Sequence, residues 1–254
     1  MTTQPISDTE NKMNIYLVLI LHIFPGLLVF TFDIVMVPIV KGLNIPLMFT
    51  LVLADLIILI PVESFIIIYF SKKSYMSFDI KKLIPYFEPM PRTRFIGFLF
   101  ALIVWAVLIN MLLMPLSSYL IENVFSGFPE VFLSTEASVL KNTNFSVYSQ
   151  LNLLILLILA FIGIGIGVPV VEELYFRGFL MSSMDRFEIG APIISVILWS
   201  IYHVWAPWSI VVYIISFIPV AVAVYKTKNI YLAIIGHMIA NIVLVLNLIP
   251  ILFG

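Results

Sequence analysis

Glu172, Glu173 and Arg177 lie within six residues of one another, in the stretch Val171-Glu172-Glu173-Leu174-Tyr175-Phe176-Arg177-Gly178. Apolar segments flank it on both sides. A charge at bilayer depth costs about 3 kcal/mol on insertion scales, so such residues pair with one another or mark a functional site. On a helix Glu173 and Arg177 share one face, with the acid nearer the N-terminus, the better orientation for an ion pair. Glu172 projects about 100° away and has no local cation. It needs a polar partner on another helix, a proton, or something to hold. The plainest structural alternative is a Glu-Arg clamp with a spare carboxylate.

Two of the three histidines fall in later apolar segments. His237 and Asn241 are four apart, as are Trp199 and His203, so each pair points the same way from its helix. A lone histidine in such a helix is usually a hydrogen-bonded interior residue. Two histidines, an asparagine in register and an unpaired glutamate carry more. A glutamate and a histidine together polarise a water. A histidine and an asparagine donate hydrogen bonds to the oxyanion formed when water attacks an amide. The set suits hydrolysis of a peptide bond inside a membrane.

The elements that must hold these residues follow from composition. The 254 residues are 62% hydrophobic and 11% charged, against roughly 45–50% and 25% in soluble domains. The expected class is an all-α polytopic membrane protein. A net charge of −1 and the lack of basic patches or zinc-finger spacing argue against a nucleic-acid partner. With no cysteine there are no disulfides, thiolate metal sites or cysteine nucleophiles. The first 14 residues lack the basic start and cleavage site of a signal peptide, so the first apolar stretch reads as a retained span.

Hydropathy divides the chain into spans at 15–40, 47–70, 95–121, 148–168, 170–183, 189–205, 207–225 and 230–253. The fourth and fifth are separated by Gly163–Pro169. This gives about eight transmembrane helices with both termini inside, and a C-terminal catalytic bundle of four to five helices. Residues 1–147 form an N-terminal transmembrane part and residues 148–254 a catalytic core. The loop 71–94 carries six basic residues and reads as cytoplasmic. The acidic loop 122–147 reads as external. Eight spans place Lys226 and Lys228 outside, against the charge rule but in keeping with a shared depth for Glu172, His203, His237 and Asn241. Gly163 and Gly167 form a GxxxG pair that lets another helix approach. Asp33, Asp55, Glu63 and His22 read as interior residues bonded to tyrosine, serine or backbone groups.

Glu172-Glu173-x-x-x-Arg177, then Trp199-x-x-x-His203, then His237-x-x-x-Asn241 resemble the three motifs of the CAAX-protease and bacteriocin-processing (CPBP, or Abi) family of intramembrane proteases, whose eukaryotic branch includes the Ras-converting CAAX endoprotease. The resemblance covers about residues 148–254. Trp199 stands where the family usually has Phe. The resemblance implies Glu172 and His203 as the water-activating pair, His237 and Asn241 as the oxyanion hole, and Glu173, Arg177 and Trp199 as supporting residues. It implies an intramembrane endopeptidase acting near the cytoplasmic leaflet on a membrane-associated peptide or protein, in the cell membrane of a prokaryote. No HExxH is present. A metal-free water is preferred, with a zinc ion held by Glu172, His203 and His237 as the alternative. The competing function is a non-proteolytic scaffold or regulator on the same fold, such as one serving bacteriocin immunity.

Overall fold

The computed structural model describes residues 13–254. Residues 1–12, where most of the polar N-terminal stretch falls, lie outside it. Without water in the bilayer core, each backbone N–H and C=O must be satisfied within its own segment, and helices do this. The described chain is helical, with no β-strand beyond one bridge between Phe87 and Asn229. Among the described residues six helices are long and apolar enough to cross a membrane. They are α1 (Ile15–Gly42), α2 (Met48–Tyr75), α3 (Arg92–Asn123), α4 (Gln150–Leu180), α6 (Pro207–Thr227) and α7 (Tyr231–Phe253). A shorter apolar helix, α5 (Gly190–Tyr202), lies between α4 and α6. The protein is an integral, multi-pass membrane protein. Its outer face is apolar: α3 exposes Phe100, Met111 and Leu112, as a lipid-facing helix does.

The eight expected spans are reduced because 148–168 and 170–183 are one continuous helix. Pro169 removes a backbone donor, but α4 passes it by widening into a π-helical stretch, Phe161–Gly167. The same device occurs in α2, where the π stretch Asp55–Leu59 precedes Pro61. The two π stretches touch. Leu56 packs on Gly163 and Ile60 on Gly167, where added β-carbons would meet their side chains at 3.1 and 2.7 Å. The GxxxG pair therefore receives α2.

Joining the two segments also changes which loops share an end. The 76–91 loop is bonded to the α6–α7 turn: Glu88 N–H donates to Lys228 O at 2.8 Å and Ile230 N–H to Tyr86 O at 2.7 Å. The Asn229 amide donates to Glu88 O at 2.7 Å, and the Tyr86 hydroxyl donates to Asp185 at 3.1 Å. Burial and the neighbouring Asp185 carboxylate push the Tyr86 phenol above its ordinary range. Lys226 and Lys228 thus lie at the end that holds Lys72, Lys73, Lys81 and Lys82. The expected placement outside is corrected, and the charge rule and the architecture agree.

The opposite end is built from the acidic loop. Lys41 at the end of α1 pairs with Glu130 at 2.7 Å. Phe145 packs in one cluster with Leu248 and Leu252 of α7. The described chain therefore starts at the basic end and finishes at the other, rather than with both termini together. At about 1.5 Å per residue, the 13 residues of α5 span roughly 20 Å, short of a hydrocarbon core of about 30 Å. Val131 and Phe132 of the acidic loop cover the gap against Ala206 and Trp208, and Trp208 Nε1 donates to Glu136 at 2.8 Å. Burial raises the Glu136 carboxyl above its ordinary range, opposed by that hydrogen bond.

Candidate active site

Three helices supply the polar cluster: α4 with the two glutamates and the arginine, α5 with Trp199 and His203 at its end, and α7 with His237 and Asn241. Glu172 lies about 12 Å along α4 from the basic end, counted back from Leu180 at 1.5 Å per residue. His237 lies about 9 Å along α7 on the same count. The shared depth of the motifs does not need a separate crossing by residues 170–183. It follows from α5 entering from the basic end and stopping part-way.

Glu173 and Arg177 form the expected i,i+4 pair, Oε2 to Nε 3.4 Å, with both side chains fully buried. Glu173 has a second task that its spacing did not reveal: its Oε1 lies 2.9 Å from His237 Nδ1. One carboxylate therefore ties α4 to α7. The Arg177 guanidinium lies 4.0 Å from the Trp199 ring centre and 5.1 Å from that of Phe217. A planar cation against aromatic rings in an apolar interior is a favourable arrangement.

Glu172 finds its partner on another helix, as its isolation required. The Tyr202 hydroxyl donates to its Oε1 at 3.1 Å. Among the described residues no hydrogen bond joins Glu172 to His203, whose Nδ1 donates to Trp199 O at 2.8 Å. That bond leaves Nε2 as the acceptor of the neutral ring. The His203 ring packs against those of Trp199, Tyr202, Trp205 and Tyr213, with centroids 4.5–5.0 Å away. Trp199 is the hub, 2% exposed, touching Arg177, His203 and, at 6.3 Å, His237.

Asn241 has a structural role as well. In the π stretch Val168 N–H donates five residues back to Gly163 O. The next such bond would run from residue 169 to Ile164 O, but proline has no N–H. Asn241 Nδ2 supplies the missing donor at 2.9 Å. One of its two N–H groups is committed there, leaving the other.

The remaining expectations divide. His22 is buried with Nδ1 donating to Val18 O at 2.8 Å, while its Nε2 has no partner. Asp33 and Glu63 are fully buried, yet neither carboxyl oxygen of either residue has a hydrogen-bond partner. The Tyr202 hydroxyl nonetheless interacts with Glu63, as expected of a tyrosine partner, and the Thr50 hydroxyl with Asp33. Among the described residues no three His, Asp or Glu side chains are arranged to hold a metal ion. Glu172 is turned to Tyr202, and the two histidines commit Nδ1 to Trp199 and Glu173, which leaves Nε2 of each ring open. Tyr202 and Phe217 were not foreseen. Tyr202 stands directly before His203 in the sequence, and a hydroxyl beside a motif histidine was the available signal.

Residues 154–243 match the family model described as Rce1-like, type II CAAX prenyl endopeptidase Rce1-like. No curated protein and no solved structure matches the chain. The matched segment contains all three motifs and bears out the resemblance read from them. In general terms this segment is similar to domains of the CAAX-type protease class of hydrolases.

Proposed function

We propose that the protein is an intramembrane endopeptidase that hydrolyses a peptide bond of a membrane-associated peptide or protein near the basic, cytoplasmic end. The observation that supports this most is the convergence of three motifs from three helices on Trp199, inside the segment that matches the endopeptidase family. Glu172 is the base that takes a proton from water, with its carboxylate oriented by Tyr202. His203 offers Nε2 to the same water. His237, held by Glu173, presents Nε2 to the carbonyl oxygen. With Nδ1 committed, Nε2 donates a hydrogen bond only in the doubly protonated ring. The free N–H of Asn241 is the second oxyanion donor. The proton taken by Glu172 passes to the leaving nitrogen, which completes the hydrolysis without a covalent intermediate. The acid, base and oxyanion groups suffice for this route, so we assign the water activation to Glu172 and His203 without a resident metal.

The test compares membranes carrying the wild type with Glu172→Ala, His203→Ala and His237→Ala, by mass spectrometry of newly formed peptide termini. Termini present with the wild type and missing in all three variants, at equal protein abundance, are the expected result. Identical termini in all four would leave the scaffold reading in its place.

A further inference from the structure

Glu63 of α2 is a buried carboxyl group to which the hydrolytic reading gives no task. It is fully buried, neither oxygen is in close hydrogen-bond geometry, and the Tyr202 hydroxyl interacts with it. Its position follows from how α2 and α4 pack side by side in the same direction. Leu56 sits on Gly163, Ile60 on Gly167, and the Phe70 ring lies 5.1 Å from that of Phe179. Leu56, Ile60, Glu63, Ile67 and Phe70 recur at spacings of four and three, a single stripe along α2. Glu63 therefore lies in the stripe that faces α4, bracketed by contacts on either side. The partner offset is 107 residues at Leu56 and Ile60 and 109 at Phe70, the extra residues being taken up by the π-helical turns of α4. Glu63 is thus level with residues 170–172, beside Glu172. Its charged neighbours are Glu172 and Arg177 of α4 and Asp55 of its own helix, and its hydrogen-bonding neighbour is Tyr202 of α5, with Tyr175 of α4 close enough to feel its charge.

We propose that Glu63 is a positioning residue for Glu172, the two carboxyl groups sharing one proton across the α2–α4 contact. Glu63 carries the proton and Glu172 carries the charge. Two adjacent carboxylates in an apolar site do not both ionise, and a buried carboxyl without a paired cation is cheapest as the neutral acid. The neutral acid donates to the Tyr202 hydroxyl, which in turn donates to the Glu172 carboxylate at 3.1 Å. This holds Glu172 ionised and fixes the lone pair that meets the water. No bond is made or broken at Glu63, which keeps its own proton through the reaction. The assignment rests on Glu172 being the base.

Infrared difference spectra of the purified protein in lipid nanodiscs test the pair without relying on activity. Wild type minus Glu63→Gln is expected to show the loss of one protonated-carboxyl C=O band, and Glu172→Gln is expected to displace that band. Cleavage is expected to survive in Glu63→Gln, whose amide still donates. In Glu63→Leu it should fall by about 10–100-fold, the scale of one hydrogen bond to a charged group. No change in the protonated-carboxyl region for Glu63→Gln, or a band indifferent to Glu172→Gln, would overturn the pair. Normal cleavage by Glu172→Gln would instead remove the hydrolytic reading, whatever the spectra show.

Discussion

Glu173 and Asp33 are both fully buried carboxyl groups in apolar helices, and their surroundings are opposite. Glu173 holds Arg177 on its own helix and His237 on another. Asp33 of α1 has neither oxygen in close hydrogen-bond geometry, and the Thr50 hydroxyl of α2 interacts with it. The first is a joint: two cationic or protonatable partners offset its desolvation, and it fixes α4 against α7. The second has a neutral hydroxyl beside it and, among the described residues, no cationic partner. Burial alone therefore does not identify a working charge in this molecule. What separates the two is whether partners converge from more than one helix.

The largest effect that breaks this contrast is expected from Arg177→Ala. Removing one partner of a buried pair leaves an uncompensated charge and costs about 3–5 kcal/mol. Thermal unfolding in detergent should show it as a large fall in midpoint and in membrane accumulation. Arg177→Lys should restore little, because the flat guanidinium stacked 4.0 Å from Trp199 is not reproduced by an ammonium.

A smaller effect sharpens the comparison within α4. Asn241→Leu leaves the Ile164 carbonyl unpaired, at a cost of about 1–3 kcal/mol. In a Pro169→Ala background the backbone regains an N–H, so the same asparagine substitution should cost less. A double-mutant cycle on unfolding measures the coupling. Equal costs in both backgrounds would dismiss the account of Asn241 as a cap on the proline-freed carbonyl. The smallest effect is expected from Asp33→Asn. A neutral isostere that keeps the Thr50 hydroxyl as its neighbour should change stability by less than about 1 kcal/mol, whereas Glu173→Gln weakens two partners at once.

The sequence already carried the class, the spans up to Gly163 and the Glu173–Arg177 pair, because hydropathy and i,i+4 spacing are local signals. The links between helices were not local. Pro169 reads as a break, and only Asn241, contributed by α7, shows why the helix continues. That continuity moved Lys226 and Lys228 to the basic end and removed the eighth span. Tyr202 was hidden for the same reason: nothing in the spacing of Glu172 points to α5. The motif residues themselves were legible by their types. Their partners, Tyr202 for Glu172 and His237 for Glu173, needed the packing.

The central claim is that Glu172 is the base for water attack on a peptide bond. It is tested most directly by cleavage in lipid nanodiscs of a peptide identified from the wild-type termini, comparing wild type with Glu172→Gln at equal abundance. Cleavage lowered by about 10²–10⁴-fold, the range for losing a general base, with unchanged unfolding behaviour, is the predicted result. Glu172→Gln cleaving at the wild-type rate would contradict the account.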